Sequence, residues 1–130
     1  LKNHKDSNGK VGTIGWCYGG GVALSFALGG EHHDATAMFY GRLLTDPEKL
    51  SHLDHDFYGT FVENDRGIPV KDVEDFTRAL RGAGIGTDIH IYDEVSHGFW
   101  LYVDRNPEIN TGPAIDAWSR LKVFLENKLK

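Results

Sequence analysis

KVGTIGWCYGGG, residues 10–21, joins a strand-like segment directly to a cluster of glycines. Residues 10–16 are short, apolar and rich in β-branched side chains, which predicts a buried β-strand. Residues 15–19 fit the nucleophile-elbow pattern, with Cys17 where a serine more often stands and a glycine two residues away on either side. Those glycines would avoid clashes in the sharp turn from strand to helix. A glycine-rich turn around an incidental buried cysteine fits the same five residues, so the rest of the chain must separate these interpretations.

Apolar segments recur along the rest of the chain. Residues 22–28 are apolar on all sides, which predicts a buried helix directly after the elbow. Three more short apolar runs, at residues 34–40, 57–62 and 88–92, predict further strands. Strands that alternate with helices imply parallel pairing. We therefore expect residues 1–130 to form a single α/β domain of three layers, with flanking helices on a mostly parallel sheet of about four strands.

Two amphipathic helices are predicted in the second half of the chain. The first has Pro69 in its first turn and glycines 82 and 84 at its end. Its apolar face consists of Val70, Val73, Phe76, Leu80 and Ala83. The second helix begins near Pro113, and its apolar face consists of Ile115, Trp118, Leu121, Leu125 and Leu129.

Composition and charge argue against several classes of protein. The chain has 130 residues and a formal net charge of -5, with a pI of about 5.7. This balance argues against a nucleic-acid partner, because phosphate binding requires clustered lysine and arginine. No apolar run is long enough to cross a bilayer and no signal segment is evident, so we expect a cytoplasmic protein without a membrane partner. The single cysteine excludes an internal disulfide.

No cofactor is expected. The glycines between residues 12 and 21 do not form a dinucleotide-binding pattern, and no P-loop lysine is present. Residues 32–34 (HHD) and 52–56 (HLDHD) could ligate a divalent ion if they folded onto one face. Since no third, distant ligand is implied, we interpret both clusters as solvated surface and expect no metal site.

A base and an acid follow Cys17 in the order expected for a catalytic triad. Asp65 comes directly after the third predicted strand, and His97 comes after the fourth. Ligands collect at the carboxyl ends of the strands in open parallel sheets. We therefore expect two hydrogen bonds, one between the thiol of Cys17 and His97 and one between His97 and Asp65.

The start of the helix after Cys17 would contribute further groups. Its dipole and free N–H groups favour the thiolate form of Cys17. The amide of Tyr18 would be one donor of an oxyanion hole. Phe99 or Trp100 would form an apolar wall for the substrate, because ligand pockets are mostly apolar.

The chain resembles the carboxyl-terminal half of the dienelactone hydrolase family (carboxymethylenebutenolidases). The matching motifs are GWCYGGG at residues 15–21, ATAMFYG at 35–41, ENDRGIPV at 63–70 and HGFW at 97–100. The resemblance implies a truncated α/β-hydrolase fold. It also implies that Cys17 is the nucleophile, Asp65 the acid and His97 the base of an enzyme that hydrolyses a small ester or lactone through an acyl-enzyme.

The departures from the family leave a second hypothesis open. Family members carry an amino-terminal half that supplies a second oxyanion-hole amide and a substrate-binding arginine. A second family arginine shortly after the histidine corresponds to Leu101 here, with Arg105 further along. The alternative is therefore a shortened, catalytically weak relative that serves as a binding or assembly module.

The same comparison with the family predicts how the chain assembles. The nucleophile strand would lose its neighbour on one side, so residues 10–16 would form a sheet edge protected only by the charge of Lys10. A bare apolar edge is expected to pair, and we predict a two-fold symmetric homodimer.

Overall fold

A parallel sheet of four strands forms the centre of the computed structural model, which describes residues 1–130. The strands lie in the order β1-β2-β3-β4 and all neighbours pair in parallel, with β1 at Gly12–Trp16, β2 at Ala35–Phe39, β3 at Phe57–Val62 and β4 at Thr87–Tyr92. The helices are α1 at Tyr18–Gly29, α2 at Pro47–Leu50, α3 at Val70–Gly82 and α4 at Pro107–Leu129, with a short 3₁₀ turn at Val103–Arg105. All four predicted strands are therefore confirmed.

Helices cover both faces of this sheet. Alternate residues of a strand point to opposite faces, and on β3 the ring of Phe57 packs against Phe76 of α3. The next residue, Tyr58, donates a hydrogen bond of 2.8 Å from its hydroxyl to the carbonyl of Ala117 in α4. Helices α3 and α4 thus lie on opposite faces, with α1 on the α3 side, and the expected three-layer α/β architecture is confirmed.

Helix α4 differs from the prediction in its start and in its buried face. Pro107, rather than Pro113, occupies the first turn, where the missing N–H of a proline costs no hydrogen bond. The buried side chains are Ala114, Ala117, Leu121 and Phe124, while Ile115 is 62% exposed and Trp118 is half exposed. The predicted face was wrong at Ile115 and Trp118, because the small alanines let the helix lie close to Tyr58, whereas Leu121, Leu125 and Leu129 pack against the core as expected.

Helix α1 is covered on one side only. Ala23 and Leu24 are buried, whereas Val22 and Phe26 are about half exposed. The prediction of a wholly buried helix was therefore wrong for this structure. Strand β1, against which α1 packs, lies at an edge of the sheet as expected. None of the helices combines the length and the hydropathy needed to cross a membrane.

Two close backbone approaches fix where β1 turns into α1. A β-carbon built at Gly15 would lie 2.1 Å from the carbonyl oxygen of Gly19. A β-carbon at Gly41, after β2, would lie 2.7 Å from the backbone of Gly20. A β-carbon at Gly19, in contrast, would meet nothing within 4 Å. The structure therefore requires glycine at position 15, as expected, but does not require it at position 19.

This difference predicts opposite effects of two glycine-to-alanine substitutions. Gly15→Ala should lower the free energy of unfolding by about 3 kcal/mol, because the new methyl group overlaps the backbone of the turn. Gly19→Ala, the matched control, should raise it by up to about 1 kcal/mol, because alanine is the better helix former. Urea unfolding followed by circular dichroism measures both; equal losses in the two variants would contradict the packing described.

Candidate active site

Cys17 is held in a strained backbone conformation between β1 and α1. Its φ is 54° and its ψ is -124°, a region that residues with a β-carbon seldom adopt. Its N–H donates to the carbonyl of Phe39 at 3.0 Å, and its own carbonyl accepts from the N–H of Gly20 at 3.0 Å. Both backbone groups are thus anchored, so the turn keeps this conformation.

The first N–H groups of α1 open beside the cysteine. The N–H of Tyr18 has no hydrogen-bond acceptor in the structure, as expected for the first residue of a helix. The Tyr18 side chain is exposed and leaves the amide uncovered. This amide therefore has the free donor that the predicted oxyanion-hole role requires.

Asp65 and His97 form a hydrogen-bonded pair at the carboxyl ends of the strands, the end of the sheet at which Cys17 also lies. Asp65 follows β3 and His97 follows β4, and Oδ2 of Asp65 lies 2.6 Å from Nδ1 of His97. The carboxylate is 5% exposed and the imidazole 44% exposed. The other carboxylate oxygen accepts from the N–H of Gly67 at 2.9 Å. An ionised Asp65 fixes the proton of His97 on Nδ1, which leaves Nε2 free to accept a proton.

The thiol of Cys17 makes no hydrogen bond to His97 in this structure. The predicted hydrogen bond from the thiol to the imidazole is therefore not formed in this structure. Burial, and then the negative charge of Asp65, raise the pKa of the Cys17 thiol. The expected preference for thiolate is thus wrong here, because desolvation and a nearby carboxylate both disfavour the charged form. A neutral thiol requires a base before it can act as a nucleophile.

The two aromatic residues predicted as a substrate wall occupy different environments. Phe99 is 2% exposed and packs against Tyr40 and Tyr92. It is a core residue, because these rings leave its side chain almost no surface for a substrate. Trp100 is partly exposed between Trp16 and Trp118. The role of Trp100 as an apolar wall stays a prediction.

Tyr40 is a residue of this edge that the sequence reasoning treated as part of a strand. It follows β2 directly, is fully buried, and has a φ of 37°. Its ring centroid lies 4.8 Å from that of His97. Its position as the last residue of a predicted strand, directly before Gly41, was the signal that could have identified it.

The two histidine clusters meet at the opposite edge of the sheet, where the strands begin. His33 and His55 are buried there, with their Nε2 atoms 3.0 and 2.7 Å from the hydroxyl of Thr36. Nδ1 of His55 lies 2.8 Å from Asp54. Solvated surface was therefore the wrong interpretation for His33 and His55, which join β2 to the loops before β2 and β3. No group of three or more side chains is arranged to hold a metal ion.

Comparison with known proteins identifies relatives of the whole chain. The family model described as dienelactone hydrolase family matches residues 1–129. A protein of Methylorubrum extorquens named "Putative carboxymethylenebutenolidase" is 30% identical over 127 residues, which are 91% of this chain and 43% of that protein. A protein of the same name from Saccharolobus solfataricus is 30% identical over 121 residues, 93% of this chain and 46% of that protein. The chain thus spans about half the length of these curated relatives.

Solved structures show the same fold. A structure titled "Putative Dienelactone Hydrolase" from Klebsiella pneumoniae superposes with a TM-score of 0.71 and 25% identity, covering 85% of this chain and 49% of that one. A dienelactone hydrolase-like promiscuous phosphotriesterase from metagenomic libraries gives a TM-score of 0.84 at 17% identity, covering 100% of this chain and 57% of that one. The four-stranded sheet and its helices are therefore a partial α/β-hydrolase fold.

The charge of Asp65 predicts how the reactivity of Cys17 depends on pH. Asp65→Asn removes a charge that raises the pKa of the thiol, so the pH profile of Cys17 alkylation should move to lower pH. Asp93→Asn, in the loop after β4, is the matched control and should leave the profile in place. Iodoacetamide labelling followed by mass spectrometry reports on Cys17 alone, since it is the only cysteine. A shift to higher pH in Asp65→Asn would contradict this electrostatic account.

Proposed function

Because this chain belongs to the dienelactone hydrolase family, we propose that it hydrolyses an ester or lactone bond of a small molecule with Cys17 as nucleophile. The observation that carries the proposal is the 2.6 Å contact between Asp65 and His97, located at the same sheet edge as Cys17. An oriented base beside a strained nucleophile is the arrangement that acyl transfer requires. The family resemblance alone would leave the roles of these residues unassigned.

The reaction begins with proton transfer from the thiol of Cys17 to Nε2 of His97. The raised pKa of the thiol makes this transfer necessary, and Asp65 stabilises the imidazolium that results. The thiolate then attacks the carbonyl carbon, and the N–H of Tyr18 donates to the oxygen that becomes negative. The hydrogen bond between thiol and imidazole forms in this step, since such contacts are often long without substrate.

Collapse of this intermediate completes the first half of the reaction. The imidazolium of His97 returns its proton to the leaving oxygen, which leaves an acyl-thioester on Cys17. Water, deprotonated by His97, then attacks the carbonyl carbon of the thioester; the C–S bond breaks, the carboxylic acid is released, and the imidazolium returns the proton to the sulfur of Cys17. No redox or group-transfer partner is needed, because every proton moves between the thiol, imidazole, leaving group and water.

The single oxyanion donor at the elbow predicts slow turnover. By the family resemblance, a second donor comes from a segment that precedes β1. Loss of one donor costs about 10²–10³-fold in rate. The chain by itself is therefore expected to cleave simple activated esters slowly and broadly. The alternative, a catalytically weak relative that serves as a binding or assembly module, corresponds to a rate that does not depend on Cys17.

Hydrolysis of p-nitrophenyl acetate tests the proposal. The parent should release p-nitrophenol at least about tenfold faster than Cys17→Ala and His97→Gln, since each loses a group that the reaction requires. His52→Gln, which changes an exposed histidine outside the site, is the matched control and should keep the parent rate. Equal rates in the parent and in Cys17→Ala would remove the enzyme hypothesis and favour the binding module.

We also propose that the chain forms a homodimer through the β1 side of the molecule. Strand β1 is an unpaired edge, and the side chains of Ile14, Val22 and Phe26 beside it are about half exposed. Apolar groups on one side of an open edge favour pairing with another chain.

Sedimentation equilibrium at micromolar concentration measures this association. The parent should have twice the mass of one chain, and Val22→Glu should have the mass of a single chain, because a carboxylate cannot be buried unpaired. Val123→Glu places the same charge on an exposed residue of α4 that lies near Thr87 of β4, and it should leave the dimer intact. A parent of monomer mass throughout would refute the homodimer.

A further inference from the structure

Tyr40 occupies a backbone position that the surrounding structure enforces. Its φ of 37° lies in the left-handed region, which residues with a β-carbon rarely adopt. Its N–H donates to the carbonyl of Thr60 at 2.6 Å. The next residue, Gly41, packs on Gly20 so closely that a β-carbon would overlap the helix backbone. Anchors on both sides therefore hold Tyr40 in this conformation and set the direction of its ring.

The ring of Tyr40 contacts the imidazole of His97. The two centroids are 4.8 Å apart at an interplanar angle of 53°. On its other sides the tyrosine ring packs against Phe99 and Phe39. Tyr40 is fully buried, whereas the imidazole is partly exposed. The tyrosine thus forms a fixed surface beneath a side chain that is otherwise open to solvent.

Asp65 cannot fix the orientation of this imidazole without help. Asp65 makes one hydrogen bond to the ring, from Oδ2 to Nδ1. A single bond fixes one atom of the ring but leaves the ring free to tilt about that atom. The contact of the imidazole with the tilted ring of Tyr40 restricts that freedom. The direction of Nε2, the atom that must receive a proton from Cys17, then follows from both contacts.

The hydroxyl of Tyr40 plays no part in this restraint. It is buried, and the backbone groups that approach its oxygen belong to Trp100 and Leu101 rather than to His97. Burial, and then the charge of Cys17, raise the pKa of the phenol far above its usual range, so the group is neutral wherever a hydrolase works. The ring, rather than the hydroxyl, is therefore the part of Tyr40 that connects it to the site.

We propose that Tyr40 is a positioning residue whose ring, held by the left-handed backbone after β2, fixes the plane of the His97 imidazole so that Nε2 faces Cys17. The proposal rests on the proposed function, since it assigns His97 the role of base. Tyr40 touches no reacting atom in this account and acts only through His97. Its removal should loosen the imidazole without changing the surface that contacts the substrate.

Nuclear magnetic resonance relaxation measures the effect directly. The signal is the Cε1–H bond of His97, identified by its absence in His97→Gln. In the parent its order parameter should equal that of rigid backbone, about 0.85, and in Tyr40→Leu it should fall below about 0.6. Tyr40→Phe keeps the ring and should keep the parent value. If Tyr40→Leu does not fold, Tyr40→Met fills more of the same space and replaces it in the comparison.

Phe57→Leu is the matched control for the loss of a buried ring. Phe57 is fully buried on the neighbouring strand, where it packs on Phe76 rather than on His97. A general loosening of the core would lower the order parameter in this variant as well. The proposal requires the parent value in Phe57→Leu; an unchanged value in Tyr40→Leu, or an equal fall in Tyr40→Phe, would overturn it.

Ester hydrolysis provides the second measurement. With p-nitrophenyl acetate, Tyr40→Leu should lower kcat by about tenfold and leave KM unchanged, because a misdirected base affects the reaction more than binding. The relaxation measurement does not depend on turnover. A protein that shows the change in mobility but no hydrolysis would refute the proposed function alone, whereas hydrolysis with a rigid imidazole in Tyr40→Leu would refute the role of Tyr40 alone.

Discussion

The contact between the backbones of Gly15 and Gly19 is the constraint on which the site depends. Only the absence of a β-carbon at Gly15 allows the chain to turn from β1 into α1 within two residues. The turn places Cys17 in a strained conformation and leaves the N–H of Tyr18 without a partner. The proposed nucleophile and the proposed oxyanion donor thus both depend on one local packing requirement.

Parallel pairing supplies the rest of the site. Because all four strands run in the same direction, the residues that follow them meet at one edge of the sheet. Cys17 follows β1, Tyr40 follows β2, Asp65 follows β3 and His97 follows β4. Each strand is followed by one of these groups, and the loops after β3 and β4 bring Asp65 and His97 to within 2.6 Å of each other. Burial and the charge of Asp65 raise the pKa of the Cys17 thiol, and Asp65 also holds Nδ1 of the His97 imidazole.

Local sequence patterns predicted the strands, their parallel pairing and the positions of Cys17, Asp65 and His97 after three of them. Those features depend on short apolar runs and on which residue follows each run, and both can be read from the amino-acid sequence alone.

Predictions that depended on contacts between distant residues were less successful. The burial of His33 and His55 comes from their contacts with Thr36, and nothing in their local sequence distinguishes them from surface histidines. The face of α4 was misjudged because close packing on Tyr58 favours Ala117 over the bulkier Trp118. The left-handed backbone of Tyr40 arises from the approach of Gly41 to Gly20, an interaction that hydrophobic periodicity does not encode.

The central claim is that Cys17 carries the acyl group during ester hydrolysis. Mixing the protein with excess p-nitrophenyl acetate, quenching with acid within the first turnover and mapping the peptides by mass spectrometry locates any covalent intermediate. We expect one acetyl group on the peptide that contains Cys17. Hydroxylamine should remove this group, and the Cys17→Ala protein should not acquire it. Release of p-nitrophenol by the parent with acetylation only of lysine residues, or with no acetylated Cys17 at any quench time, would contradict it.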